Sequence, residues 1–319
     1  MRRLAAAFLA PLAVIAALAG CGTKGAPAGG PASNPNASVT VAGIGDKAPT
    51  VTIPAERPGS GLVTKTLIRG SGPVLATGDS YLANFDVYLW HGKTHKLLFS
   101  SYTSNPEVLP VQMGLSGLQQ ALGGQRIGSR VLAVLPPKYA YGATGNKQLG
   151  VTPTDTMVWV VDLLHAFAPT DAASGKTITN GGGSLPKIAT AAGTGPTIAI
   201  PKTTPPAKLI VTTLIKGTGA PLKTGEAIVV RYVASIWRTG KVFNDNWPTV
   251  STPTAAPNVF TLGQLIPAWN TGLVGIPVGS RVMLVVPPAE GYGKTGNKQA
   301  GIEPTDTLVF VVDILGTAT

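Results

Sequence analysis

Residues 142–164 read GATGNKQLGVTPTDTMVWVVDLL, and residues 293–315 read GKTGNKQAGIEPTDTLVFVVDIL. Sixteen of these 23 positions are identical at a constant offset of 151. A second echo lies upstream, where LIRGSG at 67–72 answers LIKGTG at 214–219 at an offset of 147. The offsets differ because the loops do. The first copy is three residues longer between Trp90 and Phe99, and the second is seven longer between Phe243 and the helix that follows. A period near 150 is too long for a solenoid, whose units cannot bury a core alone, so each copy is expected to be a domain.

Within a copy the short-range pattern is mostly strand. AIVVRYVASIW at 227–237 alternates Ile228, Val230, Tyr232 and Ala234 with Val229, Arg231, Val233 and Ser235, which predicts a long antiparallel strand. RVMLVV at 281–286 and TLVFVVDIL at 307–315 predict two more strands, and the stretches 209–215 and 259–262 another two. PAWNTGL at 267–273 is the helix candidate, because proline suits a first helical position and Gly275 follows as a stop. Its counterpart, SGLQQAL at 116–122, places Ser116 and Gln119 in capping-box spacing before Gly123 and Gly124. The expected class is α+β: two domains, each an approximately five-stranded antiparallel sheet around one short helix, with one sheet face buried.

Composition narrows the rest. Forty glycines and 28 prolines among 319 residues exclude a long-helix architecture. One cysteine, Cys21, excludes intramolecular disulfides and a thiolate metal centre, and three histidines leave little for imidazole chemistry. Neither a cofactor nor a metal is implied. Arg2 and Arg3 precede an apolar run over 4–20, too short and too weakly flanked for a comfortable membrane span but suited to an export signal. It ends in Leu18-Ala19-Gly20-Cys21, which resembles the lipobox of bacterial lipoproteins. The alternative is an ordinary signal peptide with an incidental cysteine. In the lipoprotein family the chain is cut before the cysteine, whose thiol and new amine are acylated, and two or more acyl chains suffice for stable anchoring. Loss of Arg2 and Arg3 lowers the formal charge from +11 to +9, still diffuse and without a basic block, so nucleic acid is not an expected partner.

The chain therefore divides into a signal peptide (1–20), a lipidated cysteine with a flexible tether (21–50), a first domain (51–167), a linker (168–197) and a second domain (198–319). The tether and linker are assigned from their Gly, Pro, Ala and Ser content.

Hydrolytic apparatus is missing. Gly293-Lys294-Thr295 mimics the end of a phosphate-binding loop, yet Pro288 stands where that loop needs glycine. There is no G-x-S-x-G elbow and no H-E-x-x-H. Thr154-Asp155-Thr156 and Thr305-Asp306-Thr307 read as turn caps before strands. What remains is a set of aromatic residues on separate elements: Tyr232, Phe243, Trp269, Tyr292 and Phe310. By themselves they fit a plain core as well as a pocket.

Their order decides between the two. VVRYVASIWRTGKVFNDNW, FTLGQLIPAWNTGLVGIPVGSRVMLVVPPAEGYG and GIEPTDTLVFVVDIL together resemble an FKBP-type peptidyl-prolyl isomerase domain over roughly 204–316, with a weaker copy over roughly 57–165. With the lipobox, the whole chain is similar to tandem-FKBP lipoproteins of actinobacteria. The resemblance implies a pocket floored by Trp269 and walled by Tyr232, Phe243, Leu265, Ile266, Ile302 and Phe310. It implies that Tyr292 reaches a substrate carbonyl, and that Ile266 offers its backbone N–H to another. Two departures stand out: Asn244, followed by Asp245, replaces an aspartate, and Asn258 replaces a wall aromatic near Phe260. The first copy departs further: Phe85 stands at the tyrosine place, Ser100 follows Phe99 where the acid belongs, Leu118 replaces the floor tryptophan and Trp159 the last phenylalanine, with Leu115 at the Ile266 place and Tyr141 and Val151 retained.

The implied activity is prolyl cis–trans isomerisation, mainly by the second domain, on proline-containing segments of exported polypeptides. The expected setting is a monomer, lipid-anchored at the outer face of the cytoplasmic membrane. The alternative is a non-catalytic peptide-binding or holdase lipoprotein.

Overall fold

The computed structural model describes residues 34–43, 47–178, 183–190, 194–253 and 255–318. The signal, Cys21 and the Gly181-Gly182 part of the linker lie outside them. The chain forms two compact units, the first built mainly from the described residues up to 77 with 83–104 and 111–166, and the second mainly from 167–319.

The first unit begins with the hairpin β1 (Thr40–Ala42) and β2 (Thr50–Thr52). It continues through β3 (Val63–Ile68), β4 (Ser80–His91), β5 (Thr94–Ser100), β6 (Glu107–Pro110), α1 (Ser116–Leu122), β7 (Arg130–Leu135) and β8 (Thr156–Phe167). Its main sheet runs β3-β7-β8-β4-β5, with β6 also pairing β4.

The second unit repeats the pattern with β9 (Lys176–Thr177), the hairpin β10 (Lys187–Ala189) and β11 (Thr197–Ala199), β12 (Ile210–Lys216), β13 (Ala227–Ile236), β14 (Val242–Asp245), β15 (Asn258–Thr261), α2 (Pro267–Leu273), β16 (Arg281–Val286) and β17 (Leu308–Thr317). Its main sheet runs β14-β13-β17-β16-β12-β9. β15 and β14 pair successive stretches of β13, at 227–230 and 233–235, so together they make one split edge. Without the two-residue β9, the sheet is five strands wide, and its pairings among the described residues are antiparallel. Both helices fall on the segments read from sequence. The capping box does not form: Leu115 is the N-cap of α1 and gives no side-chain cap, so Ser116 is already helical.

Period-two alternation sorts the side chains of the second sheet. Ile228, Val230, Tyr232, Ala234 and Ile236 of β13 join Val282, Leu284 and Val286 of β16 and Leu308, Phe310, Val312 and Ile314 of β17 against α2. The expectation of one buried face does not hold, because all ten residues of β13 are buried. Trp237, Met283, Val285, Val309 and Val311 on the opposite face are covered by Leu185, Ile188, Ile198 and Ile200. These residues belong to the β10–β11 hairpin and its flanks, and Leu185 and Ile188 lie within the stretch read as a flexible linker. The first unit does the same with Val39, Val41, Val51 and Ile53, packed on Trp90, Leu132, Val134, Val158 and Val160.

The described part of the tether, 34–43 and 47–50, is thus largely ordered chain. A composition average hides the cause, which is one apolar side chain at every second position of two short strands. The hairpins match at the 147 offset, Thr40 opposite Thr52 answering Lys187 opposite Ala199. Each is fastened by an indole N–H, Trp90 Nε1 to the Glu56 carbonyl (2.9 Å) and Trp237 Nε1 to the Thr203 carbonyl (3.0 Å). The internal repeat therefore starts before residue 51.

Candidate active site

The shared string T-G-N-K-Q builds one wall of the site. Gly296 adopts φ +59°, a left-handed backbone that favours glycine, and a Cβ there would strike the Ile302 carbonyl. The turn lets Asn297 and Ile302 exchange both backbone hydrogen bonds at 2.9 Å, which places Ile302 in the core cluster. Asp306 then closes the next turn by accepting from the Glu303 N–H at 2.8 Å, as Asp155 accepts from Thr152 at 2.7 Å. Both aspartates cap turns before strands, as their spacing indicates.

The aromatic residues converge on the Trp269 indole. The rings of Tyr232, Phe260 and Phe310 meet it nearly edge-on, with centroids at 5.8, 5.5 and 5.7 Å and interplanar angles of 86°, 84° and 85°. Phe243 stands at 90° to Phe310, 6.0 Å away. Leu265, Ile266 and Tyr292 pack half-buried on the same cluster. Edge-to-face contacts of this kind add to area burial and hold each ring at a set angle. Ile266 is the N-cap of α2, and its carbonyl accepts from the Trp269 N–H. Its own N–H makes no hydrogen bond among the described residues. Burial first, then the neighbouring Tyr292 and Asp245, push the Tyr232 hydroxyl up to about 12. These three side chains share the rim of the ring cluster. A cleft of about 590 Å³ lined by Pro201, Trp237, Arg238 and Asp306 shares no residue with the cluster.

The acid of the site is displaced by one place from the sequence expectation. Asn244 is exposed, and it is Asp245 whose charge reaches Tyr232. Strand register agrees: Asp245 pairs Val233 as Ser100 pairs Asp86, positions that match at the 147 offset. Asn258 does not line an open rim, because its Oδ1 accepts from Asn246 Nδ2 at 2.9 Å. Asn246, which the sequence reading passed over, also accepts from the Tyr232 N–H at 2.7 Å and donates to the Val230 carbonyl at 2.9 Å. Ser101 plays that part in the first unit, its Oγ accepting from the Phe85 N–H at 2.8 Å. Comparing FSSY with FNDNW as strings containing one extra residue is the signal that would have found the match.

The first pocket is filled. Phe85 stacks at 33° on Phe99 and at 31° on Trp159, with centroids at 5.3 and 5.4 Å. Phe85, Leu118 and Trp159 are 0%, 1% and 0% exposed, whereas Tyr232, Trp269 and Phe310 retain 7%, 4% and 5%. Leu115 and Val151 are buried as well. Trp159 brings a larger ring to the last strand where leucine replaces tryptophan at the floor, a pair of changes that offset each other in volume. Tyr141 lies beside Asn146, and burial raises its hydroxyl above the ordinary tyrosine range.

The sequence pattern of the family described as FKBP-type peptidyl-prolyl cis-trans isomerase matches residues 75–164 and 219–315, more than half of the chain. This chain belongs to that family. It is 33% identical over 122 residues to the FK506-binding protein of Streptomyces anulatus, covering 38% of this chain and 94% of that protein. The probable FK506-binding protein of Corynebacterium glutamicum is also 33% identical over 122 residues, with 38% and 96% covered. The FKBP-type isomerase FkpA of Escherichia coli is 36% identical over 99 residues, which is 31% of this chain and 34% of that protein.

Proposed function

We propose that the second unit catalyses cis–trans isomerisation of X–Pro bonds in exported polypeptides, and that the first unit keeps the fold with little of the activity. The observation that carries this reading is the contrast between the two ring clusters. One leaves part of its floor and walls accessible, and the other is sealed by Trp159.

The chemistry needs neither acid, base nor metal. Amide resonance imposes a barrier of about 18–20 kcal/mol, and uncatalysed X–Pro exchange takes on the order of tens to hundreds of seconds. Half-way through the rotation the nitrogen is pyramidal and the amide has lost much of its charge separation. A dry apolar pocket favours that state over the planar, dipolar one. Trp269, Phe243 and Phe310 grip the proline ring, Tyr292 holds the preceding carbonyl, and the Ile266 N–H holds a second. Only contacts stronger in the twisted state accelerate the step, since uniform grip raises affinity alone.

Tyr292→Phe deletes one hydrogen bond and leaves the ring, so kcat/KM on a short X–Pro peptide is expected to fall about three- to tenfold, equivalent to roughly 0.5–1.5 kcal/mol. An unchanged value would remove Tyr292 from the mechanism.

The same proposal places the protein at the outer face of the cytoplasmic membrane, anchored through acylated Cys21 and acting as a monomer. The support is the Arg2-Arg3 start, the apolar run and Leu18–Cys21. Cys21→Ser is expected to move the protein from the membrane to the soluble fraction and to eliminate the acyl mass on the intact protein. Retention at the membrane with unchanged mass would reject anchoring at Cys21.

A further inference from the structure

The strand residue beside Tyr232 is a buried cation that the isomerisation chemistry does not use. Arg231 is 0% exposed and, by alternation along β13, faces away from the rings. Its Nη1 donates to the carbonyls of Asn246 at 2.8 Å and Ala255 at 3.2 Å. Those carbonyls stand near the two ends of the segment joining β14 to β15, the strands that carry Phe243 and Phe260. Trp247 is buried with its ring 5.5 Å from the guanidinium carbon. It packs so tightly on the turn between β10 and β11 that a Cβ at Gly195 would strike it.

Stability alone is a poor account of this arginine. Nε and Nη2 find no acceptor among the described residues. Asp313, its partner in strand register, is engaged by Arg281. Burial lowers Arg231 to about 10 despite the pull of Asp171 and Asp313. A buried cation with unmet donors stabilises a core less well than an apolar side chain of similar length. What a guanidinium adds is the simultaneous hold on two carbonyls. The first unit has Asn84 at the matching place, bonded to Ser101 Oγ, and spans the equivalent segment, between β5 and β6, with six fewer residues.

We infer that Arg231 is a positioning residue for catalysis. By tying both ends of the β14–β15 segment to β13, it sets the separation of the Phe243 and Phe260 walls around Trp269 and keeps Asp245 beside Tyr232. This inference rests on the second unit being the catalytic one.

The test uses the full chain, assayed on a short X–Pro peptide well below each variant's unfolding midpoint, with Trp269→Ala as a reference. Arg231→Met is expected to keep or raise the unfolding midpoint while kcat/KM falls about fivefold. The loss should sit in kcat, because the walls matter most in the twisted state. Arg231→Lys, which can still donate to both carbonyls, is expected to stay within about twofold of wild type. Wild-type activity in Arg231→Met overturns the inference, as do equal losses in Met and Lys or a loss that tracks the folded fraction. If Trp269→Ala is as active as the wild-type chain, the assignment of catalysis to the second unit is what fails. If Trp269→Ala is inactive and Arg231→Met fully active, only the role of Arg231 falls.

Discussion

Trp269→Ala is expected to lower the prolyl isomerase activity of the full chain at least about tenfold in kcat/KM, a loss of roughly 1.4 kcal/mol in transition-state stabilisation. Three aromatic walls lean edge-on against this indole, so its removal opens the floor and frees each wall to rotate. The same change empties a well-packed site, for which truncation of a large aromatic costs about 3–5 kcal/mol of stability. Activity must therefore be divided by the folded fraction from an unfolding curve measured under assay conditions. Trp269→Phe refills part of the floor and is expected to fall between wild type and alanine. Leu118→Ala, at the matching place in the first unit, truncates the floor of a pocket already closed by Trp159 and Phe85. It should leave kcat/KM within about twofold of wild type once folded fraction is allowed for. If Leu118→Ala abolishes activity and Trp269→Ala does not, the division of labour between the units is reversed.

The ring cluster of the second unit was legible because its parts lie in strings whose spacing is fixed by regular structure. Tyr232, Trp269 and Phe310 sit on β13, α2 and β17, where period two or a proline-started helix decides which side chains face inward. What escaped lies where the register shifts. β14 pairs β13 with an irregularity between Ala234 and Ser235, as β5 pairs β4 with one between Val87 and Tyr88, and beside it Asp245 rather than Asn244 answers Ser100. A bulge of this kind re-aims side chains without leaving a mark in composition. Arg231 is visible in the sequence only as one member of an alternating strand. Its purpose depends on carbonyls 15 and 24 residues away, which no local pattern announces.

The two hairpins escaped for a different reason. Gly, Pro, Ala and Ser dominate the stretches around them, and averaged composition reads as tether. Yet Val41, Val51, Ile188 and Ile198 need only three-residue strands to present an apolar face. The larger part of the stabilising surface belongs to the sheet beneath, whose second face is itself apolar. A mostly apolar β13, with Val229 and Val233 among the outward positions, was the available sign that both faces are covered, since strands buried on both faces lose the inward–outward contrast. Arg231 and Ser235 interrupted that run enough to suggest a solvated face.

That second face also carries the ion pair whose loss is expected to be most damaging to the fold. Asp313 is 1% exposed and accepts from Arg281 Nε at 2.6 Å, Arg281 Nη2 at 2.7 Å and the Ala173 N–H at 2.8 Å. Arg231 lies opposite it on β13 and Arg281 opposite it on β16, so one carboxylate serves a row of two buried cations. Asp313→Ala leaves both cations without that charge, and breaking a buried pair from one side costs about 3–5 kcal/mol. Against a domain stability of roughly 5–15 kcal/mol, this removes a large share of the margin and lowers the unfolding midpoint of the second unit. Activity should be lost in parallel, because Phe310 is on the same strand. The corresponding Asp162→Ala in the first unit should be milder, since Arg130 also donates to the carbonyls of Gly43 at 2.7 Å and Lys47 at 3.3 Å. Replacing Asp313 by Leu together with Arg281 by Met removes charge from both sides and is expected to recover a good part of the stability. Urea unfolding of the full chain, followed by intrinsic fluorescence, measures each variant. An Asp313→Ala midpoint within error of wild type would mean that the pair is already exposed to water, and that the row across β13, β17 and β16 does not hold the unit together.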